Sequence, residues 1–108
     1  MTIESSRLNL QSDFETFLGS RNVYFQPPEN LKINYPCIIY ELSRYNSIKA
    51  DNIGYRNIPG YTVLYISKDP DDENVHKLMS FPKISFDRHY ESNGLHHWVY
   101  TLYYLKET

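Results

Sequence analysis

A chain of 108 residues with 41% hydrophobic content and a net charge of −2 fits one globular domain, residues 1–108, and is too apolar and too weakly charged for a disordered segment. Its 11 basic and 13 acidic residues are interspersed, which argues against nonspecific duplex binding, a task that draws on clustered Lys and Arg. One cysteine, Cys37, leaves no intrachain disulfide framework and fits a reducing compartment.

Residues 1–7 lack the apolar stretch of a secretion signal, and no run approaches the ~20 apolar residues of a membrane span, so cytosolic folding is expected. The outlying number is aromatic: 11 Tyr, 5 Phe and 1 Trp, against 4 Gly. Tyrosine joins a large apolar ring to a polar tip and is enriched where two proteins meet.

The first element is a helix. Leu10, Phe14, Phe17 and Leu18 fall at i, i+4, i+7 and i+8, with Ser5 or Ser6 as cap and Gly19 at the stop. Residues 22–25 are short and β-like, and Pro27-Pro28 then forces an extended turn. Tyr35-Pro36 opens a strand over 37–45, with Ile38, Tyr40 and Leu42 on one face and Ile39 and Glu41 on the other. A second strand, 61–68, sets Val63 and Tyr65 against Leu64 and Ile66. The polar stretch between them, 46–60, is too long for a tight hairpin and reads as a projecting hairpin arm or a loop.

Asp69-Pro70 reads as the start of a second helix, with Asp69 as cap, Pro70 at the first helical position and Asp71, Asp72 and Glu73 at the positive end of the dipole. Val75, Leu78 and Met79 form its apolar stripe, and Phe81-Pro82 ends it. The acidic run therefore has a structural explanation, and three neighbours at a helix start do not converge on a metal.

Residues 84–90 alternate, Asn93-Gly94 is a strong hairpin turn signal, and 95–105 is a long aromatic strand. The order α-β-β-α-β-β predicts an α+β domain: a four-stranded, mainly antiparallel sheet with two helices packed on one face. Regular pairing across the last hairpin sets Ile84, Phe86, Val99 and Tyr103 on a core-like face, with Arg88 among them. Asp87, His89, Glu91, His96, Trp98, Tyr100 and Leu102 then share the other face. Two helices cover one face only, so the Trp98, Tyr100 and Tyr104 side is expected to meet another chain.

Catalytic groupings fail on spacing. Ser85, Asp87 and His89 share a type set with a triad, but Ser85 and His89 lie ~13 Å apart on one strand with the acid between them. His96 and His97 point to opposite faces, and His89 with His96 lacks a third ligand, so no metal is expected. Cys37 reads as a small core residue. No glycine-rich phosphate loop and no basic-aromatic single-strand platform is present, so no cofactor, no catalytic group and no specific nucleic-acid binding is expected.

Several ordered segments carry a resemblance. They are Asn22-Val23-Tyr24-Phe25-Gln26-Pro27-Pro28, Tyr35-Pro36-Cys37-Ile38-Ile39-Tyr40, Ala50-Asp51-Asn52, Tyr61 with Lys68-Asp69-Pro70-Asp71, and Phe86-Asp87-Arg88-His89-Tyr90 followed by Asn93-Gly94-Leu95-His96-His97. As a set the chain resembles the small neck and tail-completion proteins of long-tailed bacteriophages, tail terminators among them.

The resemblance implies a virion protein, assembled in the host cytoplasm, that forms a ring, typically a hexamer. Such rings end tail-tube polymerisation and face the head connector, so the partners implied are further copies of the chain, the tube protein and the neck proteins. A head-completion or other minor neck protein, or a monomeric host-inhibiting module, are the alternatives. No catalytic residue belongs to these roles. The residues nominated for contacts are Asp51 and Arg56 in the long connection, Asp87, Arg88 and His89, and the aromatic group Trp98, Tyr100 and Tyr104.

Overall fold

The computed structural model describes residues 3–28, 32–49 and 55–104, with side chains placed over 7–28, 32–43 and 59–104. Its elements in chain order are α1 (Ile3–Leu18), β1 (Val23–Phe25), β2 (Cys37–Lys49), β3 (Tyr55–Ser67), α2 (Asn74–Lys77) with a 3₁₀ turn (Leu78–Ser80), β4 (Ile84–Ser92) and β5 (Leu95–Tyr103). The class is α+β, as the element order predicts.

Among the described residues the sheet has five strands, not four, in the order β1-β2-β3-β5-β4. The additional strand is β1, which runs parallel to β2 in the register Val23↔Ile38 to Phe25↔Tyr40. It stops at Gln26, which takes a positive φ of 45°. The Gln26 amide donates to the Tyr40 carbonyl, and its side-chain oxygen accepts the Leu42 amide, closing the edge of β2 just past β1.

Helix α1 follows its sequence stripe. Leu10 and Phe14 are fully buried, and Phe17 and Leu18 pack against the same cluster. It begins before Ser5 and Ser6 and ends at Gly19, whose φ of 74° suits glycine. Helix α2 is a correction: only four residues are α-helical, and they start after the acidic run. Asp69 accepts the Asp71 amide and Asp72 accepts the Asn74 amide, both at 2.9 Å, so the two aspartates make successive side-chain turns where a helix cap was expected. Met79 is exposed, while Leu78 is buried.

At Asn93-Gly94 both residues take positive φ, 54° and 75°, as a two-residue primed turn requires. The hairpin pairs Ser92↔Leu95, Tyr90↔His97 and Arg88↔Val99, as expected from the turn. The register then shifts between Phe86 and Arg88, so Ile84 faces Leu102 and Phe86 faces Tyr100. Asp87 is the extra residue of a bulge. Everything before it changes face relative to regular pairing.

Strands β2 and β3 are each 13 residues long and pair from Cys37↔Ile66 out to Lys49↔Tyr55. Strand β5 accompanies β3 only as far as Gly60↔Tyr103, and the Tyr104 amide reaches the Pro59 carbonyl. Residues 44–49 and 55–58 therefore continue as a two-stranded arm, and the molecule measures 50 × 24 × 23 Å. The arm leaves the sheet at a bulge beside Ser43, whose hydroxyl donates to the Gly60 carbonyl opposite a buried Pro59. Proline within a strand is tolerated at such irregular edges.

The helices cover the sheet face built from Ile38, Tyr40, Tyr61, Val63, Tyr65, Trp98, Tyr100 and Leu102. These close on Leu10, Phe14 and Leu78 as one core cluster. Among the described residues no helix is long and apolar enough to cross a membrane.

Candidate functional site

The aromatic residues nominated for contact with another chain belong to the interior. Trp98, Tyr100 and Tyr104 are 6%, 0% and 9% exposed and lie beneath the helices. The bulge at Asp87 explains the reversal. With regular pairing Ile84 and Phe86 fall beside Val99. The shift returns Ile84 to the helix-covered cluster and sets Phe86 edge-on against Tyr100, ring centroids 5.5 Å apart.

The tyrosines have a shared role there. Each rises from the sheet with a buried ring and a hydroxyl that reaches the layer above. Tyr40 donates to Gln11 Oε1 at 2.6 Å and Tyr104 to Asp13 Oδ2 at 2.6 Å, both on α1. Tyr65 donates to Asp72 Oδ2 at 2.7 Å and accepts from the Asn74 side chain, while Tyr100 donates to the Val75 carbonyl at 2.8 Å. Burial pushes the Tyr40 and Tyr100 phenols up to about 12. It also raises Tyr65 and Tyr104, each helped by the carboxylate that accepts its hydrogen bond. All four stay neutral donors well above neutral pH. The tyrosine rings fill the gap between the sheet and its roof of one long helix and one short one, and their polar tips hold that roof.

The face turned away from the helices is the candidate contact surface. Across it runs a row set by strand pairing, Ile39 on β2, Leu64 on β3, Val99 on β5 and Arg88 on β4. Beside it run Glu41, Thr62 and Thr101 on one flank and His97 with Tyr90 on the other. A depression of about 270 Å³ opens here, lined by Ile39, Glu41, Thr62, Leu64, Arg88, Tyr90 and Val99, with Tyr40 at its margin. Its floor is apolar and its rim carries one cation, one anion and a phenol. Tyr90 and His97 stack nearly parallel, 4.6 Å apart with 6° between planes.

Arg88 was assigned to the core side; it is exposed on this open face and pairs with Asp87 at 3.1 Å. An exposed pair of sequence neighbours holds little energy. His89 lies on the other side, beyond the helices, against Trp98 and His96. The His89 and His96 rings are 5.3 Å apart at 11°, with Nε2 of His89 3.1 Å from Nδ1 of His96. Such a short nitrogen contact at that centroid separation means near-coplanar rings meeting edge to edge. The other nitrogen of His96 faces Glu91 Oε2 at 3.6 Å.

Ser85 pairs with Thr101 and His89 with Trp98, so the bulge sends these two side chains to opposite faces. Among the described residues no group of three or more His, Cys, Asp or Glu is placed to hold a metal ion. Cys37 is buried, and desolvation pushes its thiol up to about 12, which makes it a poor nucleophile. Asp51 lies outside the described residues. Arg56 has a described backbone, paired with Ile48 in the arm.

Sequence reasoning missed Ile39, Glu41 and Leu64 as surface candidates. Their alternation was visible, but the choice of outward face depends on where the helices land. No family model, no curated protein and no solved structure matches the chain.

Proposed function

We propose that the chain is a structural subunit of a tailed-phage virion, a ring-forming neck component at the head-proximal end of the tail. The ring ends tube polymerisation and joins the tail to the head connector. The role needs no catalytic group, only two different surfaces per subunit, because a closed ring is built from heterologous contacts.

The observation that carries the reading is the β2–β3 arm. It extends roughly 17 Å beyond the last strand-pairing partner of β3, taking ~3.4 Å per residue over residues 55–59. In a single chain the arm's outer strand edges are unpaired over 44–49 on β2 and 55–58 on β3, among the described residues. Exposed edges of that kind are templates for pairing, and long ones are kept where a neighbour covers them. The two edges differ, one on β2 and one on β3, and so supply the two different surfaces that a heterologous contact needs.

The test measures mass in solution for the purified protein, alone and mixed with tail tubes. A closed multimer, or a ring of density at one end of the tubes, is the expected result. A chain that neither assembles nor binds tubes overturns the reading. A monomer that instead captures a host protein through the open face would mark a binding module.

A further inference from the structure

We propose that the open sheet face is a two-fold contact between two copies of this chain, with Arg88 of each copy paired to Glu41 of the other. The two charges stand at opposite margins of the face. Arg88 is on β4 and Glu41 on β2, three strand positions apart in the order β2-β3-β5-β4. At ~4.8 Å per strand they are separated by ~14 Å laterally and cannot meet within one chain.

Between them the face is apolar, with Ile39, Leu64 and Val99 in a row and Thr62 beside it. A strip with an apolar centre, a cation on one margin and an anion on the other complements itself under one kind of rotation. The axis lies in the interface, parallel to the strands and midway between β3 and β5. That rotation carries β2 of one copy over β4 of the other and leaves the position along the strands unchanged.

Arg88 shares its row with Ile39, and Glu41 is the next same-face residue along β2. The cation therefore lies over Ile39 of the second copy and one step, ~7 Å, from its Glu41. With sheets ~10 Å apart, the two Cα atoms are on the order of 12 Å apart, within the combined reach of Arg and Glu. The same operation makes the second pair. Ile39 meets the methylene stem of Arg88 of the other copy, and Leu64 lies over the depression floored by that copy's Val99, itself only 6% exposed.

The face spans four strands and about eight residues of β3 and β5. Its flat outline is roughly 19 × 27 Å, about 500 Å² per partner against the ~800 Å² of a standard interface, and Cys37, Ile66 and Val99 within it are already buried, so a weak, concentration-dependent dimer is expected. Arg88 gives up little by turning from Asp87, since an exposed neighbour pair is weak.

The contact does not depend on the ring reading: the ring uses the arm, and its failure leaves this face untouched. The test is a charge exchange read by analytical ultracentrifugation, with E41R, R88E, the double variant E41R/R88E and a mixture of the two single variants. The wild type is expected to dimerise, or to contain dimers within a larger assembly. Each single variant should dimerise about tenfold or more weakly, because each places two like charges face to face. The double variant, and equally the mixture, should recover dimerisation to within about threefold: the double variant restores both salt bridges in reverse, and the mixture restores one in its original sense and one in reverse. Recovery in the mixture also shows that each single variant is folded. A wild type that stays monomeric to about 1 mM, single variants that associate like wild type, or pairs that fail to rescue each other would each overturn the proposal.

Discussion

The hydroxyl of Tyr65 offers the sharpest test of how the helical layer is held. Tyr65→Phe keeps the buried ring beside Trp98 and removes one oxygen, which donates to Asp72 Oδ2 at 2.7 Å and accepts from Asn74. A hydrogen bond to a charged group contributes about 1.5–3 kcal/mol when buried. Asp72 is half-buried and keeps its second contact, the Asn74 amide, so the loss belongs at the low end, about 1–2 kcal/mol. For a domain of this size that is a fall in Tm of about 4–8 °C. The control is Tyr90→Phe, on the exposed face and stacked on His97, which should stay within about 0.5 kcal/mol of wild type. Urea unfolding at pH 7 reads both. If Tyr65→Phe unfolds at the same urea concentration as Tyr90→Phe, the tyrosine tips do not hold the roof.

The buried phenols make stability sensitive to alkali. Tyr40 and Tyr100 are pushed up to about 12 in the fold, against a usual value near 10, so their stabilising effect is intact below pH 10 and drains away between pH 10 and 12. The urea midpoint should be flat from pH 7 to 9 and fall steadily above 10; a flat profile to pH 12 would contradict the burial. Gly94→Ala should cost about 1 kcal/mol in thermal unfolding, all of it backbone strain, because φ is 75° and an added methyl meets nothing within 4 Å. Phe14→Ala should cost about 3–5 kcal/mol in the same assay, as the ring is fully buried and packs on Tyr40 and Phe81 at 5.4 and 5.3 Å.

Much of this fold is legible in the sequence. The Leu10 and Phe14 stripe marks α1, the Asn93-Gly94 turn sets the last hairpin, and the alternation of Ile38, Tyr40, Val63 and Tyr65 places the central strands. The polar stretch at 46–60 is in part an arm, because strand pairing continues out to Lys49↔Tyr55. What was not legible follows from non-local causes. The three residues of β1 join the sheet only through parallel pairing with a distant strand, for which local periodicity holds no register. Asp87 looks like any other polar strand residue, yet as a bulge it moves Ile84 and Phe86 to the opposite face.

That single residue decides the reading of the surface. Without the bulge, the apolar side chains of β4 sit with Val99, and Trp98 with Tyr100 looks like the outer face. With it, the aromatic side becomes the helix-covered interior and the half-buried Ile39 and Leu64 lie on the side away from the helices. Tyrosine misleads in the same way, since its ring and tip suit a core with polar anchors as well as a contact between chains. The case for assembly therefore rests on the arm and on the open face, and no longer on tyrosine content.

Hydroxyl-radical footprinting of the protein, dilute and assembled, tests that division most directly. The account predicts that Tyr90 and Tyr35, both exposed, are modified in the dilute chain, while Tyr40, Tyr65, Tyr100 and Trp98 are protected at every concentration. On assembly, protection should rise at Ile39 and Leu64 on the open face. Trp98 and Tyr100 reacting readily when dilute, and becoming protected only on assembly, would place the aromatic face outside and contradict the account.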